Sequence, residues 1–243
     1  MNRKLSKLTA AALLAGLLGL WLRLTLYRTG FDEKNILSSS HPLHLACLGL
    51  TLLLAVYLVF ALRSADTAAT RCPALIPLAM IAGAVLTMLH GMDLLRESFV
   101  PLDTARWVLA FGCTVSMGLC ALPGMGHRIR TAALGIITVF YALDMLCRYQ
   151  GWSCNPQLPD YCFQVFACVL LSLCSYHRLA LVTGLGRPRG LLFCGLMGLT
   201  LCLFCAAGPE TKFFYLGGAC WAGSCLFTPQ PPAEKQEDTD VPA

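Results

Sequence analysis

Along the chain, long apolar runs alternate with short polar breaks that carry turn residues: SSSHP, ATRCP, FVPLD, LPGMG, NPQLPD, GLGRPRG and AGPETK. A bilayer hydrocarbon core of about 30 Å takes about 20 mainly apolar residues per helical span, and a chain crossing it must satisfy its backbone hydrogen bonds internally. No run alternates apolar and polar positions with period two, so barrel strands are excluded. Seven breaks predict eight helical spans, at roughly 6–26, 43–62, 73–92, 105–122, 131–149, 161–182, 190–207 and 212–227. The expected fold is an all-α, polytopic integral-membrane helix bundle forming one transmembrane domain over 1–227. Residues 228–243 are Pro-rich and acidic with almost nothing to bury, and are expected to be a disordered cytoplasmic tail.

Composition turns this pattern into a class. In 243 residues, 57% are hydrophobic and 13% charged, and the mean hydropathy is +0.66. Too little polar surface is left to coat a soluble globule of this size, so the chain belongs in a membrane. Its opening, MNRKLSKLTAAALLAGLLGLWL, has the basic start and apolar middle of a secretory signal. No small-x-small cleavage site precedes RLTLYRTG, and the segment reads as an uncleaved first span. The net charge of +5 comes from Lys and Arg scattered between apolar runs, without a continuous stripe, so no nucleic-acid partner is expected. The surplus sets orientation instead. With the amino terminus in the cytoplasm, eleven of the eighteen basic residues fall on cytoplasmic segments and seven outside. Both termini are therefore expected inside, in a plasma membrane. The general appearance resembles small polytopic proteins of Gram-positive anaerobes, which implies a bacterial membrane and assigns no residue a role.

An ionisable residue inside a span costs about 3 kcal/mol at the bilayer centre and usually faces a partner or a water-filled cavity, so its depth is informative. Arg23, His90, Asp93, Asp144 and Arg148 all fall in the outer third of spans one, three and five. Asp144 and Arg148 stand four apart with the acid first, on one helix face and in the favourable order. Tyr141 lies three residues before Asp144, and Tyr27 one turn after Arg23. If spans one, three and five are neighbours, Arg23, Tyr27, His90, Asp93, Tyr141, Asp144 and Arg148 form an outward-facing polar cup that binds a ligand. Its arginines can hold a carboxylate or phosphate bidentately, and its acids a cation or amine. The competing reading is structural: Arg23 pairs with Asp93 or Asp144 to stitch helices together, and Arg148 snorkels to the headgroups. LYRTGFDEKN (26–35) connects spans one and two, either as a solvated turn or as a lid over the cup.

Other chemistry is thinner. MDLLR (92–96) and LDMLCR (143–148) end spans three and five, a pattern that either a parallel duplication or convergence at one membrane face produces. HPLH puts His41 and His44 at i, i+3, and with His90 near the same face these are the weak metal candidates. Pro42 disturbs that geometry and the motif has no acid, so no metal site is expected. Most of the fourteen cysteines sit within apolar runs as small packing residues. Cys154 and Cys162 flank NPQLPD on the outer side and can close a small disulfide if the surroundings oxidise. GLMGLTLC and GGACWAGSC in the last two spans suit close helix contact, within the bundle or in a dimer. The glycines of GMG and GLG read as turn residues. No HExxH, GxSxG, Walker or dinucleotide-binding motif is present.

The leading expectation is a small-solute binding or transport protein working through the outer cup. A structural or assembly partner in a membrane complex, with no ligand, is the second. An intramembrane enzyme using Asp93 or Asp144 is the third. No cofactor is expected; the expected partners are the lipid bilayer, a small solute, and a membrane protein or a second copy of this chain.

Overall fold

The computed structural model describes residues 3–30, 41–63, 75–97, 101–153, 158–208 and 211–227. Its regular structure is eight helices: α1 (Arg3–Thr29), α2 (Pro42–Arg63), α3 (Leu75–Glu97), α4 (Pro101–Ala121), α5 (His127–Ser153), α6 (Leu158–Val182), α7 (Pro188–Cys205) and α8 (Lys212–Phe227). Seven of them are long and apolar enough to cross a bilayer. The eighth expected span, α8, has 16 residues, about 24 Å at about 1.5 Å per residue, short of a hydrocarbon core of about 30 Å. The chain is a polytopic helical membrane bundle. The connection at 31–40 and the tail at 228–243 lie outside the described residues.

Several helices run past the apolar windows that predict them. The fourth begins at Pro101 and the fifth at His127, each four residues before its expected span. Hydropathy marks only the part that lies in hydrocarbon, whereas the backbone ladder continues through polar residues at the ends. Pro101 takes the first helical position, where its missing N–H breaks no hydrogen bond, and Asp103 follows in the same turn, favourable to the helix dipole. At the opposite ends of α4 and α6, Gly124 and Gly184 hold φ of 79° and 80°. The Leu185 N–H then reaches back to the Ala180 carbonyl at 2.8 Å, and that of Gly184 to Leu181 at 3.3 Å, closing α6 with a Schellman motif.

Helices α3, α4, α5, α6, α7 and α8 close a ring in chain order, α8 packing back on α3 and touching α6 across it. From outside the ring, α1 packs on α7, and α2 on α1 and α7. Helix α7 is therefore enclosed: 72% of its apolar window is buried, against 22–39% in the other six. Small residues make the approach possible. A Cβ at Gly19 of α1 would coincide with the Phe204 ring of α7, and one at Gly16 would lie 2.6 Å from Leu203. One turn further in, the Thr200 hydroxyl donates to the Ala12 carbonyl at 3.0 Å. Between α3 and α8, Gly83 and Gly217 face each other's carbonyls, at 3.3 and 3.4 Å from the Cβ each lacks. In the last two spans Gly195, Gly198, Gly217 and Gly218 thus serve contacts inside this bundle, whereas Gly223 faces open space.

The outward surface is apolar, with Leu14, Trp21, Leu53 and Phe60 each more than half exposed. So extended an apolar surface suits lipid and not water.

Candidate functional site

The ends of α1, α2, α3, α4, α5 and α6 that carry Thr29, Pro42, Glu97, Pro101, Ser153 and Leu158 lie at one end of the bundle, the end the charge asymmetry assigns to the outside. Asp144 of α5 is the centre of the chemistry there and is 1% exposed. Arg106 of α4 donates to its Oδ1 from Nε at 3.2 Å and from Nη2 at 2.9 Å. Arg148, one turn along α5, donates from Nε to Oδ2. His90 of α3 places Nε2 3.8 Å from Asp144 Oδ1 and 3.4 Å from Arg148 Nη2. A guanidinium has no acceptor, so the contact with Arg148 takes the imidazole nitrogen as acceptor. Arg148 also lies over the Phe214 ring of α8, with Cζ 4.4 Å from the centroid, and 5.7 Å from that of Tyr215. Outside Asp144, Arg106 donates to Asp103 at 3.2 Å. Two arginines and two carboxylates balance in charge, and four helices converge on them.

The helix order explains the convergence. Ring neighbours α4 and α5 bring Arg106 to Asp144, and α8 inserts Phe214 and Tyr215 between α3 and α7, beneath His90 and Arg148. His90 and Phe214 meet edge-on with centroids 5.1 Å apart. Desolvated charges in such a setting are stable only when geometry and hydrogen bonds compensate them, which Asp144 achieves with both oxygens occupied.

Of the seven residues expected to share one cup, the structure brings together His90, Asp144, Arg148 and, one turn below on α5, Tyr141. Helix α1 touches α7 and α2 and neither α3 nor α5, so spans one, three and five are not mutual neighbours. Arg23, 1% exposed, and Tyr27 build a second cluster instead. Arg23 donates from Nη2 to the Tyr27 hydroxyl at 2.6 Å and places Nη1 3.9 Å from Cys205 Sγ. Its Cζ stands 5.4 Å from the Phe163 ring, which His44 of α2 meets edge-on at 5.6 Å. The two clusters are joined through α6 and α8: Phe163 adjoins Gln164, whose Oε1 accepts from the Tyr215 hydroxyl at 3.5 Å. Asp93 is partly exposed and stands outside these ion pairs.

Tyr141 is 1% exposed, and its hydroxyl has no hydrogen-bond partner among the described residues. Its ring packs against Phe140 and Phe214, with centroids 5.2 and 5.8 Å away. The hydroxyl is thus set in the interior of the ring.

Among the described residues no three His, Cys, Asp or Glu side chains converge as a metal requires. The Nδ1 of His41 accepts from the Leu43 N–H at 3.3 Å, beside the start of α2, while His44 and His90 stand on helices that do not touch. Cys162 is exposed near the start of α6; Cys154 lies outside the described residues, and with it the proposed pairing.

Arg106, Gln164, Phe214, Tyr215 and Cys205 are missed when site residues are sought only in spans one, three and five. For Arg106 a signal existed: it lies in the second turn of α4, at the depth of Asp144. Cys205 ends CLFC (202–205), a Cys-x-x-Cys spacing that a reading of the thiols as lone packing residues overlooks. Compared with known proteins, the chain matches no protein family, no curated protein and no solved structure.

Proposed function

We propose that this is a plasma-membrane protein that binds a small solute in the interior of the six-helix ring, beneath the Arg106–Asp144–Arg148–His90 network, as a binding or transport protein. The observation that carries the reading is the Tyr141 hydroxyl, buried without a hydrogen-bond partner among the described residues. An unsatisfied buried hydroxyl costs about 1–3 kcal/mol. Phenylalanine would avoid that cost in a site already walled by Phe140 and Phe214. A solute acceptor such as a carboxylate, phosphate or carbonyl oxygen gives the hydroxyl a partner, with Arg148 and His90 one turn above. Further polar groups continue down the ring, where Trp221 donates to the Ser175 hydroxyl at 2.9 Å and the Ser224 hydroxyl donates to the Trp221 carbonyl at 2.7 Å.

One observation favours a structural or assembly role instead: both Asp144 oxygens already have partners within the protein. Tyr141→Phe separates the two readings, because it removes one oxygen and no protein–protein hydrogen bond. The experiment is native mass spectrometry of the protein released from its own membrane in mild detergent, with thermal unfolding measured beside it. Solute binding predicts a small molecule retained by wild type and weakened in Tyr141→Phe at an unchanged or higher Tm. A structural role predicts the same spectrum for both proteins and a variant that is merely more stable.

A further inference from the structure

The surroundings of Tyr141 narrow the class of solute, given the solute site proposed above. Among the described residues its hydroxyl is the only buried side-chain nitrogen or oxygen without a hydrogen-bond partner. The charges one turn above it are already matched. Arg106 donates to Asp103 and Asp144, Arg148 donates to Asp144, and His90 accepts from Arg148, which makes it a neutral imidazole. Among the described residues two guanidinium groups thus stand against two carboxylates. A carboxylate or phosphate bound beneath them would bring an unmatched negative charge into a desolvated region, beside an aspartate that is itself 1% exposed. An uncharged acceptor gives the phenol its partner and leaves that balance as it is.

The walls select in the same direction. Phe140 and Phe214 pack on Tyr141, and Phe214 also meets His90 and Tyr215 edge-on, with centroids 5.1 and 5.0 Å away. One turn deeper on α5, Ile137 is fully buried. Further down the ring the polar groups are neutral and already bonded: Trp221 donates to the Ser175 hydroxyl, which donates to the Leu171 carbonyl. The buried cation of α6, Arg178, stands one turn from the inner end of its helix, away from the Asp144 network. Beside Tyr141 a solute thus finds one unmatched donor and otherwise aromatic and aliphatic surface. A carbonyl oxygen accepts from that donor without bringing a proton that would itself lack a partner, as a solute hydroxyl would. We infer that the solute is an uncharged, largely apolar molecule, such as a ketone or ester dissolved in the bilayer, that presents a carbonyl oxygen to the Tyr141 hydroxyl.

The test compares three probes of one ring system on the full-length protein in mild detergent: acetylbiphenyl with a neutral carbonyl, biphenyl carboxylate with an anion, and ethylbiphenyl with no acceptor. Affinities are measured by scintillation proximity on wild type and on Tyr141→Phe, with thermal unfolding followed beside them to show that both proteins are folded. Wild type should bind acetylbiphenyl at least about ten-fold more tightly than the carboxylate, because the anion adds an unmatched buried charge. Tyr141→Phe should weaken acetylbiphenyl by about three- to ten-fold, the scale of one net hydrogen bond, and should bind ethylbiphenyl at least as well as wild type does. Tyr141-dependent binding of the carboxylate in preference to the ketone would overturn the uncharged class and leave the solute site standing. Loss of ethylbiphenyl in parallel with acetylbiphenyl would overturn the carbonyl contact. Failure of every probe to distinguish wild type from Tyr141→Phe would overturn the inference, and a native mass spectrum equally bare for both proteins would remove the solute site with it.

Discussion

At the scale of single residues, Asp144 decides the state of its neighbours. Among the described residues it alone accepts from both Arg106 and Arg148. Asp144→Asn keeps the shape but leaves two buried or half-buried guanidinium groups facing a neutral amide, and should lower unfolding stability by about 3–5 kcal/mol in a reversible detergent or denaturant assay. Asp103, with a side chain 27% exposed, only supports Arg106 from the rim. Asp103→Asn should therefore cost no more than about 1 kcal/mol in the same assay. Arg148→Lys tests direction against charge: an ammonium keeps the attraction to Asp144 but cannot lie flat over Phe214 while also reaching His90. Its stability should fall between those of wild type and Asp144→Asn.

At the scale of helices, contact depends on what is absent from the side chain. The α1–α7 crossing is built around Gly16 and Gly19, where Leu203 and Phe204 occupy the space of a Cβ. Gly19→Leu should push α1 off α7 and lower stability by about 1–3 kcal/mol, the usual cost of overfilling a packed interior. A cysteine pair placed across the crossing would report the displacement as a loss of cross-linking. The turns give a matched comparison. Gly184→Ala forces a side chain into a left-handed conformation and should cost about 1–2 kcal/mol. Gly126→Ala, in a similar turn with open space around it and no positive φ, should stay within about 0.5 kcal/mol of wild type.

At the scale of the whole molecule, charge separates the two ends. The described acids occupy one end and the surplus of arginines the other, the asymmetry that orients membrane proteins with their basic end in the cytoplasm. Leu185, 86% exposed in the turn between α6 and α7, lies at the basic end. Leu185→Cys should gain a membrane-impermeant maleimide in inside-out vesicles and not in intact cells, measured against the parent protein as background. Labelling from outside would invert the bundle and place the Asp144 network on the cytoplasmic side.

Apolar run length, turn residues and sparse charge were sufficient to dictate an all-helical membrane bundle, because a bilayer leaves the backbone almost no other way to satisfy its hydrogen bonds. The i, i+4 pairing of Asp144 with Arg148 was legible for a similar reason, since helix geometry alone brings the two together. What the linear pattern could not decide was which helices touch. Arg23 and Asp144 share a depth, yet α1 lies outside the ring on α7, so Arg23 turns to Tyr27 and Phe163 while Arg106 of α4 takes the place beside Asp144. Likewise MDLLR and LDMLCR read alike, but Asp93 is partly exposed on α3 and Asp144 is enclosed. Depth in a membrane is a property of position along one helix and is written in the sequence. Azimuth and neighbour depend on close packing among all the helices at once, on Phe204 filling the space at Gly19 and α8 closing against α3, and only the tertiary structure settles them.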